Sequence, residues 1–185
     1  MEPYQDSLIL VNSDDQITGF ATKEEAHRGY GLPHRAFSIF LFDADDNLLL
    51  HERSQEKPLW PGFWTNSCCS HPRRGEDTLS AAKRRLFEEL GVRGSLRYVY
   101  QFYYQAQYLD VGSENEKCSV FLARINPGEK LNIDPSEISD INWMTLDEID
   151  SWVSRDTDRF TPWFLLEWSA LRSEYRTLVS DFLKS

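Results

Sequence analysis

Residues 76–92, EDTLSAAKRRLFEELGV, carry the clearest helix signal in the chain. Asp77 can cap the first helical turn, and Gly91 is placed to end the last one. Between them the apolar side chains recur at steps of three and four residues, the period of one helix face, at Leu79, Ala82, Leu86 and Leu90. This pattern predicts an amphipathic helix whose apolar face packs on another layer of structure.

Strand patterns lie on both sides of this helix. Apolar and β-branched runs bounded by turn residues predict strands at Ser7–Val11, Ile17–Phe20, Ala36–Phe42, Leu48–His51, Arg97–Leu109, Lys117–Ile125 and Ile138–Met144. The first two would form an N-terminal hairpin extension within about residues 1–30, and a short helix is predicted at Leu146–Val153. This order indicates an α/β (α+β) fold, a mixed β-sheet sandwiched between helices.

The C-terminal segment carries a second apolar stripe. From Thr161 onward, large apolar side chains alternate at steps of four and three residues, at Phe164, Trp168, Leu171, Tyr175, Leu178 and Phe182. The stripe predicts one helix over about residues 161–183 that packs on the sheet. Because the chain has no internal repeat and no shift of composition, we expect residues 1–185 to form a single domain.

Composition and charge narrow the class of protein. The 185 residues are 41% hydrophobic and 27% charged, which is enough for one sizeable core. With 20 Lys and Arg against 30 Asp and Glu, the net charge of −10 argues against nucleic-acid or anionic membrane partners. No apolar run approaches the ~18 residues of a membrane span, and Met1–Asp6 show no signal-peptide pattern. Three cysteines without disulfide or metal-knuckle spacing suit a reducing compartment, so the sequence predicts a cytoplasmic protein. It leaves open whether the protein is a monomer or a homodimer.

Three of the four histidines occupy distinctive positions. His27 and His34 flank a loop that contains Gly and Pro, and His71 precedes a proline. Glu114 and Glu116 are two residues apart, so both carboxylates would project to one face if a strand begins there. Imidazoles with carboxylates favour Zn, Mn or Fe over Mg. The alternative that these residues bind no metal stays open. Each histidine alone is more often a core or surface residue, and the glutamate segment is compatible with a solvated turn.

Basic residues near the helix are candidates for phosphate contacts. Arg85 and Glu89 are four residues apart on one helix face, where a cation and a magnesium-binding carboxylate could address the same diphosphate. A simple i,i+4 ion pair explains the same spacing. Lys23, Arg53 and Lys57 are further candidates, each weak when taken alone.

Cys69 is a candidate for proton transfer. A buried cysteine usually acts as a small hydrophobe, and Cys68 can take that role because neighbouring residues of a strand point to opposite faces. If Cys69 instead faces a polar pocket near His71, its proton becomes available for acid and base chemistry.

Four segments together resemble the type I isopentenyl-diphosphate isomerases. They are Thr65-Asn66-Ser67-Cys68-Cys69-Ser70-His71-Pro72, Leu32-Pro33-His34-Arg35-Ala36-Phe37, Trp60-Pro61-Gly62 and Glu114-Asn115-Glu116. The match runs from about Leu8 to the C-terminal helix, and the first string is highly specific. The resemblance implies a Nudix-like fold and the interconversion of isopentenyl diphosphate and dimethylallyl diphosphate in isoprenoid biosynthesis.

The central helix resembles a Nudix box, G-x5-E-x7-R-E-U-x-E-E-x-G-U with U an aliphatic residue. The matching positions are Glu76, Arg84, Glu88, Glu89, Gly91 and Val92. Ser70 replaces the opening glycine, and Arg85 replaces the first of the clustered glutamates that hydrolases use for metal and water. Losing that carboxylate weakens water activation, and a cation there favours an intact diphosphate. The departure therefore favours an isomerase over a hydrolase.

The resemblance also assigns residues to metals and phosphates. Glu89 would hold a Mg²⁺ that bridges the substrate diphosphate. Five residues would form a first site for Zn²⁺, Mn²⁺ or Mg²⁺, namely His27, His34, His71, Glu114 and Glu116. Four cations would neutralise the phosphates of a prenyl diphosphate, namely Lys23, Arg53, Lys57 and Arg85.

The reaction itself explains why the remaining residues are needed. Moving the double bond requires protonation of an unactivated alkene and loss of a proton from the next carbon, through a tertiary carbocation. Such a cation needs an acid and a base on opposite faces and a dry pocket. By resemblance, Glu116 with Tyr104 serves one face, Cys69 serves the other, and the ring of Trp163 stabilises the cation. Tyr103 competes with Tyr104 for the partner role, and the sequence does not decide which face protonates first.

Two alternatives share the fold. One is a Nudix hydrolase of nucleoside or prenyl diphosphates, which Arg85 and the motif around Cys69 and His71 argue against. The other is a catalytically silent module that binds a diphosphate or a protein partner, and such a module has no evident need for Cys69, Glu116 and the candidate histidine ligands.

Overall fold

The computed structural model of the chain describes residues 7–184, which form nine strands and five α-helices. The strands are β1 Leu8–Val11, β2 Ile17–Ala21, β3 His34–Phe42, β4 Leu48–Arg53, β5 Trp64–Thr65, β6 Cys68–Ser70, β7 Ser95–Tyr108, β8 Gly112–Arg124 and β9 Ile138–Met144. The helices are α1 Lys23–His27, α2 Thr78–Leu90, α3 Leu146–Arg155, α4 Pro162–Arg172 and α5 Arg176–Leu183, with a short 3₁₀ helix at Thr157–Arg159.

Strand β3 is the centre of a mixed sheet. It runs parallel to β8 from the pair His34 and Glu116 to the pair Phe42 and Arg124. On its other edge β3 pairs antiparallel with β6, where Ser38 lies opposite Cys69. Strands β7 and β8 form a long antiparallel hairpin, and β4 pairs with β5 and β9. The two strands beside β3 therefore bring distant parts of the chain to one region.

Alternate residues of β3 face two separate cores. Phe37, Ile39 and Leu41 are fully buried against α2, whereas Phe40 and Phe42 are buried beneath α4 and α5. This alternation follows from the two-residue period of a strand. The predicted mixed sheet sandwiched between helices is thus confirmed.

Helix α2 begins and ends where the sequence predicted. The Asp77 side chain accepts a hydrogen bond from the Ser80 amide at 3.0 Å, and Gly91 ends the helix with φ of 74°. A left-handed C-terminal residue favours glycine because it carries no Cβ. The predicted apolar stripe was wrong at one position, since Leu79 is 40% exposed.

The C-terminal segment differs from its prediction, because the expected single helix is broken into α4 and α5. The Ser173 hydroxyl donates to the Ser169 carbonyl at 2.6 Å, and the Tyr175 amide donates to Ala170 at 2.9 Å. The Tyr175 ring stacks on Tyr100 at a centroid distance of 4.2 Å. Side-chain hydrogen bonding and this ring contact compete with the regular helical turn, so the apolar stripe continues across two helices.

The N-terminal hairpin is present as β1 and β2, while Met1–Asp6 lie outside the described residues. Strand β8 begins at Gly112 and not at Lys117, so the segment Glu114–Glu116 lies within the strand. The alternative of a solvated turn at those glutamates was wrong. Among residues 7–184, no helix combines the length and the apolar character needed to cross a membrane.

Candidate active site

Strand β8 presents two acidic residues to one side of the sheet. Glu114 and Glu116 are separated by one residue, so their side chains share a face, and they are 8% and 6% exposed. His34 lies directly opposite Glu116 on the parallel strand β3. The strand register therefore places an imidazole beside a buried carboxylate.

The structure brings all five residues of the predicted first metal site together. One ligand atom from each of the five lies within 4.8 Å of every other. His27 Nε2 is 2.8 Å from Glu114 Oε2, and His71 Nε2 is 2.8 Å from Glu116 Oε1. His34 Nε2 lies 3.5 Å from the same Glu116 oxygen. Three imidazoles and two carboxylates thus present ligand atoms to one small region.

Backbone carbonyls orient two of the imidazoles toward that point. His27 Nδ1 lies 2.6 Å from the Lys23 carbonyl, and His34 Nδ1 lies 2.7 Å from the Leu32 carbonyl. If the Nδ1 atoms donate, each Nε2 presents a lone pair, which is the usual arrangement of metal-binding histidines. Although His27 Nε2 and Glu114 Oε2 lie 2.8 Å apart, they do not meet with hydrogen-bonding geometry, and these two atoms and His34 Nε2 are buried without a hydrogen-bond partner. These unsatisfied donor atoms fit a divalent cation.

Protonation states in the cluster also fit a cation site. Burial, together with the neighbouring His34 and His27, holds the pKa of His71 well below its ordinary value, so the ring is neutral. Burial alone would raise the pKa of Glu116, but the neighbouring His34 and the hydrogen bond from Tyr104 outweigh burial and lower that pKa. The neutral ring of His71 and the ionised carboxylate of Glu116 are the forms in which these two side chains bind metal. At His27 burial alone would lower the pKa, but the contact with Glu114 outweighs burial and raises the pKa, so metal binding there would displace a proton.

A cavity of about 410 Å³ opens beside this cluster. Its walls include Glu114, Glu116 and His71 on one side and apolar surface from Leu59 and Val111. Basic side chains also line it, namely Lys23, Arg28, Arg53 and Lys57. The cavity therefore offers both an apolar wall and a cluster of cations.

Arg53 is held by a tight turn at the edge of the cavity. Its Nε and Nη2 atoms donate to the carbonyl of Leu59 at 3.2 and 2.8 Å, and Nε also donates to Trp60 at 3.1 Å. The guanidinium lies 5.2 Å from the ring centroid of Trp163. Lys23 stands nearby, and desolvation together with the charge of Lys57 lowers the pKa of Lys23. The crowding of cations makes this part of the cavity attractive to an anion.

The two adjacent cysteines point to opposite sides of β6. Cys68 is fully buried in the core beneath α2, whereas Cys69 is half-buried and lines the cavity. Burial raises the pKa of Cys69 to about 12, so the group is a protonated thiol at neutral pH. Cys69 and Glu116 enter the cavity from strands on the two sides of β3.

Aromatic residues complete the walls. The Tyr104 hydroxyl donates to Glu116 Oε2 at 2.6 Å, and the Tyr104 ring lies 6.2 Å from that of Trp163. Tyr103, the competing tyrosine, is 53% exposed and its hydroxyl donates to Asn115 on the other face of the strand. The position of Tyr104 is therefore the one that pairs with Glu116 within the cavity.

Arg85 and Glu89 do not line the cavity. Arg85 Nη2 donates to Glu89 Oε1 at 2.5 Å, so the plain ion pair considered from the sequence is present. The same nitrogen donates to Glu137 Oε1 at 2.8 Å, and Glu137 Oε2 accepts from Lys57, which does line the cavity. This chain of ion pairs links α2 to the cavity edge.

Glu137 and several wall residues carry no sequence pattern that marks them as part of the site. Glu137 lies 52 positions beyond Arg85 and belongs to no local motif, so only the folded chain shows the contact. Leu59 and Val111 also carry no sequence signal of a binding wall. His51, the fourth histidine, is buried away from the cluster, with Nδ1 3.1 Å from the Ser67 carbonyl.

Comparison with known proteins agrees with this architecture. A model of the NUDIX domain matches residues 32–164. Two solved structures with the same fold are DR0079 from Deinococcus radiodurans and an Ap4A hydrolase from C. elegans. The first has a TM-score of 0.64 at 23% identity and covers 80% of this chain and 89% of its own. The second has a TM-score of 0.57 at 19% identity and covers 79% of this chain and 98% of its own. At these identities the similarity concerns the fold alone.

Curated relatives are much more similar in sequence. The isopentenyl-diphosphate Delta-isomerase of Serratia proteamaculans is 41% identical over 85% of this chain and 87% of that protein. The enzyme of the same name from Pectobacterium atrosepticum is 38% identical over 94% and 96%. Isopentenyl-diphosphate Delta-isomerase 1 of Photorhabdus laumondii is 35% identical over 89% and 93%. With a Nudix domain, a buried His and Glu cluster and relatives matched along nearly their full length, the chain belongs to the isopentenyl-diphosphate isomerase family.

Proposed function

We propose that this protein interconverts isopentenyl diphosphate and dimethylallyl diphosphate by moving one carbon–carbon double bond. The observation that carries the proposal is the convergence of Cys69 and the Tyr104–Glu116 pair on one cavity that also holds a cluster of cations. The relatives named above support the substrate class. Apolar walls would hold the five-carbon chain, and the cations would hold its diphosphate.

The protein groups would act on two faces of the alkene. Cys69 carries a proton, and Glu116 is an ionised carboxylate with a hydrogen bond from Tyr104. One side donates a proton to the alkene and the other removes a proton from the neighbouring carbon, so the two sides exchange roles when the reaction runs backwards. The face of Trp163 would stabilise the tertiary carbocation between these steps.

Burial protects such a cation from water. Trp163 and Tyr104 are 2% and 6% exposed, and Leu59 closes part of the wall. A carbocation that met water would be trapped as an alcohol, so excluding solvent is part of the chemistry. Arg53 and Lys57 stand at the cavity edge, where the diphosphate would keep its charge outside the apolar part.

The proposal includes two divalent ions. The five clustered residues would hold Zn²⁺, Mn²⁺ or Mg²⁺. Glu89 is buried in its ion pair with Arg85 and does not line the cavity, so it would hold a Mg²⁺ with the substrate diphosphate only where that pair opens toward the cavity. When bound, these ions supply positive charge that keeps Glu116 ionised and that neutralises the phosphates. His27, His34, His71 and Glu114 contribute by orienting their donor atoms.

Hydrolysis of a diphosphate is the main competitor. It requires clustered carboxylates that activate water, but Arg85 occupies one of those positions and pairs with Glu89. Hydrolysis also does not require a proton donor and an ionised carboxylate on two sides of one cavity, as Cys69 and Glu116 are placed here. The geometry therefore favours isomerisation.

The direct test is to incubate the purified protein with isopentenyl diphosphate and Mg²⁺, following the carbon signals by NMR and released phosphate in the same tube. The proposal expects dimethylallyl diphosphate to form without phosphate release. Release of phosphate or diphosphate without movement of the double bond would identify a hydrolase. No reaction with added Mg²⁺, Zn²⁺ or Mn²⁺ would favour a binding module.

A further inference from the structure

Glu137, at the entrance to β9, contacts two cations with its two carboxylate oxygens. Oε1 accepts from Arg85 Nη2 at 2.8 Å, and Oε2 accepts from Lys57 Nζ. The Glu137 and Lys57 side chains are 21% and 14% exposed, so the pair is largely shielded from solvent. No part of the reaction described above uses Glu137.

The backbone around Glu137 is anchored on both segments that carry these cations. The Glu137 carbonyl accepts from the Ser54 amide at 2.9 Å, three residues before Lys57. On the other side, the Asp134 amide donates to the Glu89 carbonyl at 2.9 Å, at the end of the helix that carries Arg85. The connection between β8 and β9 is thus attached to α2 and to the loop after β4, and its carboxylate lies between them.

Glu137 remains ionised over the whole range in which the protein would work. Burial alone would raise its pKa, but the charges of Lys57 and Arg85 lower it to about 2. Lysine side chains lose considerable rotamer freedom when they are held in one place. Because Glu137 already restrains the Lys57 ammonium, Lys57 loses less side-chain entropy when an anion binds to it.

We propose that Glu137 is a positioning residue, which holds the Lys57 ammonium at the cavity edge where it receives the substrate diphosphate, while Arg85 anchors the other oxygen of the same carboxylate. The inference rests on the proposed function for the identity of the substrate. It adds to that function a residue outside the cavity wall that acts through Lys57. A single anion bound to two cations from separate segments fixes the distance between them, which neither segment does alone.

A second role for the same carboxylate predicts the opposite result. If Glu137 acted only as a negative charge that competes with phosphate, its removal would strengthen diphosphate binding. Two variants separate these roles. Glu137→Gln removes the charge and keeps the size, whereas Glu137→Asp keeps the charge and shortens the side chain by one methylene, so that it no longer spans both cations.

The experiment measures inorganic diphosphate binding by calorimetry in the presence of Mg²⁺, together with KM and kcat for isopentenyl diphosphate. Glu56→Gln is the matched control, because it removes the same charge from an exposed residue next to Lys57 in the sequence. We expect both Glu137 variants to raise Kd and KM by about tenfold, from the loss of charge-assisted hydrogen bonds, with kcat nearly unchanged. Glu56→Gln should behave like the parent protein.

Several results would overturn the proposal. Tighter binding by Glu137→Gln with normal binding by Glu137→Asp would show that charge alone matters. A fall in kcat or in Tm with Kd and KM unmoved would assign Glu137 to chemistry or to stability instead. The binding measurement does not require turnover. A parent protein that binds diphosphate without moving the double bond would contradict the proposed function, but the binding data would still test whether Glu137 positions Lys57.

Discussion

Replacing Tyr104 by phenylalanine removes one hydroxyl from the candidate active site and nothing else. That hydroxyl donates to Glu116 Oε2 at 2.6 Å. The ring also packs against Phe102 and Trp163, at centroid distances of 5.4 and 6.2 Å. Because phenylalanine keeps the ring, these contacts survive, so we expect the fold to be intact and activity to fall.

The size of the effect follows from the kind of hydrogen bond that is lost. A bond from a buried hydroxyl to an ionised carboxylate contributes about 1.5–3 kcal/mol, and each 1.4 kcal/mol corresponds to about a factor of ten. We therefore expect kcat/KM to fall by roughly 10- to 150-fold in the Tyr104→Phe variant. The loss of a donor to the charged form also raises the pKa of Glu116, so the acidic limb of the rate profile should move to higher pH.

Tyr103→Phe is the control for this prediction, because that residue lies on the neighbouring position of the same strand but is 53% exposed. Both variants are assayed for conversion of isopentenyl diphosphate by NMR, with Tm measured alongside. An equal loss in the two variants, or a Tyr104→Phe rate within twofold of the parent, would refute the assignment of Tyr104 to Glu116 and the cavity.

The remaining predictions concern the thiol, the metal cluster and the acid stability of one ion pair. Cys69→Ala should nearly abolish turnover while leaving the calorimetric Kd for inorganic diphosphate unchanged, and a near-normal rate would exclude the thiol as a proton carrier. Removal of divalent ions by a chelator should abolish activity and lower Tm, since a cation that binds only the folded state stabilises it; retained activity in the metal-free protein would show that the His and Glu cluster has another role. The pKa of Glu137 is about 2 in the folded protein against an ordinary 4.5, so its pairing with Lys57 and Arg85 stabilises the fold fully above about pH 4.5 and is lost as the pH falls toward 2. The difference in unfolding free energy between the parent and Glu137→Gln should therefore shrink across this interval, and a difference independent of pH would contradict it.

Periodicity in the sequence predicted most of the fold. The two-residue alternation of β3 and the three- and four-residue steps of α2 come from local geometry, and local geometry is what a sequence pattern encodes. The break between α4 and α5 was missed because its causes include the contact between Tyr175 and Tyr100, which lie far apart in the chain. Such tertiary contacts override a helical pattern.

The candidate site likewise combines features that local sequence patterns predict with features that depend on tertiary contacts. Glu114 and Glu116 could be placed on one face by counting residues, but their burial required the β3 and β8 pairing. The meeting of three histidines with both glutamates was expected from the family resemblance, not from spacing. Glu137 was missed altogether, since no pattern connects a loop residue with cations 52 and 80 positions away.

The most direct test of proton transfer through a carbocation is to run the reaction in heavy water with the parent protein and isopentenyl diphosphate. The exchangeable protons of the Cys69 thiol and of the Tyr104–Glu116 pair are then deuterons, and a carbon that is protonated from either side must take one up. We predict dimethylallyl diphosphate with one deuterium in the methyl group formed from the terminal methylene. Product that forms at a normal rate without deuterium would show that hydrogen moves within the substrate, and would contradict the two-sided mechanism.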